Sequence, residues 1–201
     1  AVNQPELAVA TAEQAVQKIP GDPKGFVLLG NLRIAGGDPQ KALEAVMVGL
    51  DRLPGSSDLF ATMGNIDAYP VLEAHALLEE ERALYNWREY RIIMLENMSQ
   101  GELNRIQRRA LQLKLTEARS ELKYSSDQLD AARRIVRNKE PQMEAAKANY
   151  LQALAHEPTD EAALIGLGRL HLAAGAIEEA SNYFERSAAA HPTSVVSLSY
   201  W

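Results

Sequence analysis

Residues 23–54, PKGFVLLGNLRIAGGDPQKALEAVMVGLDRLP, decide how this chain folds. Apolar and small residues fall at Phe26, Leu29 and Gly30, then at Gly37, Ala42, Val46 and Gly49, with Pro54 as the stop. Residues 161–192, EAALIGLGRLHLAAGAIEEASNYFERSAAAHP, repeat the ladder at the same offsets: Leu164, Leu167, Gly168, Gly175, Ala180, Phe184, Ser187 and Pro192. Self-similarity at this period marks stacked helix pairs. Gly30 and Gly168 let a first helix approach its partner closely. Gly37 and Gly175 permit the left-handed conformation that ends that helix. Ala42 and Ala180 sit where the second helix crosses the first, Val46 and Phe184 fill the wedge, and proline stops the second helix.

These two ladders resemble the 34-residue tetratricopeptide repeat, an antiparallel helix A–helix B pair that stacks into a right-handed α-solenoid. The resemblance implies an all-α fold and a non-catalytic scaffold that holds other proteins. Two stretches match in part. In 57–67, Phe60, Met63 and Gly64 suit a helix A, but the turn glycine is missing. In 141–158, Ala146, Tyr150, Ala153 and Pro158 suit a helix B, whose helix A is expected around 127–140, where Arg133 and Arg134 replace leucine and glycine. Residues 5–19 read as a helix B closed by Pro20, and 194–201 as the opening of a further helix. Both ends read as cuts through a longer array, and the start at Ala1 rather than methionine reads as trimming.

The middle of the chain follows a different rule. Val71, Leu78, Tyr85 and Ile92 recur every seven residues. After a break near Ser99, Gln100 and Gly101, a second ladder runs Leu111, Leu115, Ala118, Leu122, Ser125, Leu129, Ala132, Val136. Alternating steps of four and three make the seam of paired long helices. Ser99 with Glu102 suggests a capping-box start for the second helix. Residues 70–102 hold three basic and seven acidic side chains, and 103–140 hold ten basic and five acidic, so the two helices attract. The expected organisation is repeats at 1–69, an elongated antiparallel helical hairpin at 70–140 projecting as an arm, and repeats at 141–201.

Composition narrows the function. The net charge of −6 argues against nucleic-acid or anionic-lipid binding, and no apolar run is long enough to span a bilayer. Without cysteine there is no disulfide, thiolate nucleophile or cysteine-ligated zinc. No phosphate loop, dinucleotide fingerprint, nucleophile elbow or HExxH motif occurs. The four histidines are scattered, and His171 takes a place that suits core packing. Glu79, Glu80 and Glu81 point in different directions on a helix and cannot converge on one ion. No catalytic residue, metal or cofactor is expected.

Candidate partner-binding residues come from two sources. The resemblance implies a groove lined by helices A. By position it holds Lys24, Val27, Leu28, Asn31 and Ile34, then Asn65, then Ala162, Ile165, Arg169 and Leu172. Asn31 and Asn65 hold equivalent places for gripping a peptide backbone, while Val27 stands where carboxylate-clamp members carry lysine. The hairpin adds Trp87, off the heptad seam as an interface anchor, and Arg105, Arg108 and Arg109, which share a helix face. Those arginines either pair with the acidic first helix or dock an acidic partner. The partner is another protein or peptide, with self-association through the hairpin as an alternative. Turns such as GDPQKALE and AGAIEEA look bacterial, which suggests pilus, exopolysaccharide or export assemblies and favours a periplasmic over a cytoplasmic place. A regulatory or targeting domain attached to an enzyme outside these residues is the competing function.

Overall fold

The computed structural model describes residues 4–195. These residues form eight α-helices and no strand: α1 (Gln4–Lys18), α2 (Pro23–Ala35), α3 (Pro39–Arg52), α4 (Ser57–Ser99), α5 (Arg105–Asn138), α6 (Glu140–His156), α7 (Glu161–Ala173) and α8 (Ile177–Ala190). The reading of 194–201 as a helix start falls mostly on 196–201, outside the described residues. The chain divides into two compact units, one of 1–72 with 140–201 and one of 73–139.

In the first unit the repeat ladder becomes packing. Asp22 caps α2 by accepting from the Lys24 N–H at 3.0 Å, Asp38 caps α3, and Asp160 caps α7 from the Ala163 N–H at 2.8 Å. Pro23 and Pro39 occupy first-turn positions that need no N–H partner. Gly37 and Gly175 close their turns at φ of 77° and 78°, a region costly for residues with a Cβ. A methyl group on Gly30 would lie 3.0 Å from a Val46 methyl, so this glycine sets the spacing of α2 and α3. Phe26, Ala42, Val46, Leu59 and Ile66 form the N-terminal core.

The partner of α6 differs from the sequence expectation. Helix α6 does not pair with residues 127–140; it packs antiparallel against the first part of α4. Ala61, Ala68 and Val71 share one buried cluster with Met143, Ala146, Tyr150 and Ala153, continuing to Ala163, Leu167 and Leu170 of α7. A Cβ on Gly64 would lie 2.6 Å from the Tyr150 ring. Residues 57–72 and 140–156 are therefore the A and B helices of one repeat. From Gly30 to Ala42, and from Gly168 to Ala180, the step is 12 residues; from Gly64 to Ala146 it is 82, because seventy residues intervene. The local cause lies at Pro70 and Val71, which hold the places of Gly36 and Gly37. No left-handed glycine is available to end helix A there, and α4 continues through Pro70.

The second unit is the hairpin formed by the rest of α4 with α5. Leu78, Leu129 and Ala132 are buried together, with Tyr85 and Val136 against them. Further along, the Arg88 guanidinium donates to the Ser125 hydroxyl inside the seam, and Arg91 meets Glu121 at 2.6 Å. Arg119 reaches Glu96 at 2.9 Å. Partner numbers fall along α5 as they rise along α4, so the helices are antiparallel. The start of α5 is capped by Asn104 with Gln107, a reciprocal capping box, rather than by Ser99 with Glu102. The chain leaves α4 at Ser99 and needs several non-helical residues to reverse, which places the cap later than the sequence motif does.

Candidate functional site

Helices α2, the first part of α4, and α7 are the A helices, and they carry the groove candidates. Lys24 and Asn31 are exposed on α2, whereas Val27 is half-buried against the N-terminal core. Arg169 is exposed on α7, as are Leu28 and Leu172 on their helices. Ile165 is buried instead, at 8% exposure, and belongs to the α7 interior rather than to the groove.

Asn65 is tied into the fold. Its side-chain oxygen accepts from the Tyr150 hydroxyl at 2.7 Å, leaving the amide nitrogen for another acceptor. Tyr150 occupies the wedge position that Val46 and Phe184 fill elsewhere, and its ring lies against both Gly64 of α4 and Gly166 of α7. Burial pushes its phenol above the ordinary range, while the charge of Arg169 acts in the opposite direction. One residue to the side of this contact, the Asn149 amide donates to Asp67 at 2.9 Å. Burial raises the Asp67 carboxyl, and the Asn149 hydrogen bond partly offsets this. Asp58, near the start of α4, is also raised, first by burial and then by the negative charges of Asp160 and Glu157.

This polar group around Tyr150 is not visible to a local reading of the sequence, because its members lie more than eighty residues apart. A signal is nonetheless present: the ladder opened by Gly64 is completed by Ala146, Tyr150, Ala153 and Pro158 once the intervening residues are set aside. Of the histidines, His171 stacks on Tyr183 with ring centroids 5.4 Å apart, in keeping with a packing role.

On the hairpin, Trp87 is 58% exposed, with the Arg91 guanidinium 6.0 Å from its ring centroid. Arg105, Arg108 and Arg109 are exposed and form no ion pair among the described residues. The expected pairing of these three with acidic α4 is therefore absent. The cross-hairpin pairs use Arg91 and Arg119 instead, because the first turns of α5 lie past the acidic part of α4. Arg108 and Arg109 line a cleft of about 680 Å³ with Ser99, Gln112 and Thr116. Among the described residues no cluster is suited to hold a metal, and no helix is long and apolar enough to cross a membrane.

Residues 139–198, spanning α6 to α8, match the tetratricopeptide repeat family model. Over these residues the chain is similar to that family. The match starts at the B helix of the interrupted repeat and runs through the last complete one. Among solved structures, the chain is similar to a thermophilic TPR protein of Thermus thermophilus, at 18% identity, covering 99% of this chain and 89% of that one, with a TM-score of 0.38. No curated protein matches. Tetratricopeptide repeats generally mediate protein–protein interaction, and they do so as scaffolds rather than as catalysts.

Proposed function

We propose that the chain is a protein-interaction scaffold that holds a peptide segment of a partner along its A helices. The observation that carries this reading is the series Asn31, Asn65 and Arg169, which occupy one repeat position on three A helices. With Lys24 they offer amide and cationic donors, suited to a peptide backbone with acidic side chains. Two more specific placements are part of the proposal. The bacterial-style turns support a role in a pilus, exopolysaccharide or export assembly. The exposed Arg105, Arg108 and Arg109, with Trp87, support a second contact surface on the hairpin, and the exposed apolar residues of α4 favour self-association there. The alternative is a regulatory or targeting domain attached to an enzyme, which reading the gene on both sides of these residues would test.

The groove is tested by affinity capture with the wild-type chain and with Asn31→Ala/Arg169→Glu. Both substituted positions are exposed, so the variant is expected to melt like the wild type while losing the captured partner. A partner retained equally by both proteins removes the groove from the proposal.

A further inference from the structure

The seam that α4 presents to α5 is one of two on that helix. The second runs Glu73, Leu77, Glu80, Leu84, Trp87, Arg91, Met94, Met98, with steps of 4, 3, 4, 3, 4, 3 and 4. Such steps keep all eight residues on one stripe for nearly four heptads, about 38 Å at 1.5 Å per residue. Unlike those of the first seam, the apolar residues of this stripe are not covered by another helix among the described residues, although Arg91 reaches Glu121 of α5. Leu77, Leu84, Trp87, Met94 and Met98 are all substantially exposed, Met98 to 62%. Apolar residues repeated at coiled-coil spacing on a solvent face mark an interaction surface.

The order of residues along the stripe points to its occupant. The steps read the same from either end, about a centre between Leu84 and Trp87. Antiparallel pairing with an identical stripe sets Leu84 against Trp87, Leu77 against Met94, and Glu80 against Arg91 of the other copy. The only arginine on the stripe and the inner of its two glutamates thus stand at equal distances from the centre and meet twice. Parallel pairing would instead stack Glu80 on Glu80 and Arg91 on Arg91, which costs stability. Arg91 already reaches Glu121 of its own chain, but a guanidinium has five N–H donors and retains some for a second carboxylate. Self-complementarity of this kind is what a two-fold interface requires.

We propose that the chain dimerises through this stripe, with two α4 helices antiparallel about the Leu84–Trp87 centre. The proposal rests on the self-association reading of the hairpin and adds its surface, direction and register. Sedimentation of the 201-residue chain over a concentration series tests it. The wild type is expected to dimerise. Leu84→Glu/Trp87→Glu is expected to remain monomeric with an unchanged helical spectrum and melting curve. Glu80→Arg sets like charges together twice and should weaken the dimer about tenfold or more, while adding Arg91→Glu should restore it. A wild-type chain that is monomeric throughout overturns self-association altogether. A dimer indifferent to Leu84→Glu/Trp87→Glu overturns the stripe. A dimer that needs Trp87 but is not restored by the charge exchange overturns the antiparallel register while leaving hairpin association standing.

Discussion

Tyr150 joins α6 to both of its neighbouring A helices, α4 and α7. Its ring leaves no room for a Cβ on either Gly64 or Gly166, and its hydroxyl is satisfied by Asn65. Gly166→Ala is expected to cost about 1–3 kcal/mol by overpacking, since the ring and both flanking helices must shift together. Tyr150→Phe keeps the packing and leaves the Asn65 oxygen short of a donor, so about 1 kcal/mol is expected. Thermal or urea unfolding of the two variants measures both. Equal stability of Gly166→Ala and the wild type would mean that the ring is not fixed between α4 and α7. The small-residue rule is legible in the sequence at Gly30 and Gly168, where both partners lie within one stretch. The same rule is hidden at Gly166, because a glycine's neighbour across a stack is not set by its own repeat.

Helix α4 shows what local pattern reading does and does not capture at the scale of an element. Its heptad seam is readable because spacing alone places Leu78 and Tyr85 on one face, and the buried cluster with Leu129 and Ala132 agrees. Its first part reads as an incomplete repeat because the B helix that completes it is encoded far downstream. The motif at Ser99 and Glu102 misplaces the start of α5, since it requires the helix to begin at once, whereas Asn104 makes the contact. That first part of α4 also carries two carboxylates, Asp58 and Asp67, both raised above the ordinary value of 3.8. A raised folded-state pKa means that the native state holds more protons than the unfolded state between 3.8 and the raised value. Stability therefore falls as pH rises through that window and stays lower above it. Asp67→Asn preserves an acceptor for the Asn149 amide and removes the charge. Its melting temperature at neutral pH is expected to exceed that of the wild type, and the gap should close as pH falls below 3.8. A gap independent of pH would assign the effect to packing rather than ionisation.

At the scale of the chain, the described residues form three helix pairs after α1, the middle pair separated in sequence by residues 73–139. Replacing 70–142 by the Gly36–Gly37–Asp38 turn sequence restores the spacing of an uninterrupted repeat. The shortened chain is expected to fold with one cooperative thermal transition and helical signal of the same shape, because Tyr150, Gly64 and Gly166 are all retained. Aggregation, or loss of the transition, would show that the first unit depends on the inserted hairpin. Affinity capture with the same protein separates groove partners from hairpin partners.

The interruption also sets an order of events during synthesis. Residues 57–72 leave the ribosome with an apolar face whose partner, α6, is encoded seventy residues later than in an ordinary repeat. At about 5–20 residues per second the delay is roughly 4–14 s, ample for local helix pairing. The hairpin, whose own pairing is complete by Lys139, is thus finished before the repeat that contains it. The middle repeat closes from the inside outward, after a delay in synthesis that neither flanking repeat faces.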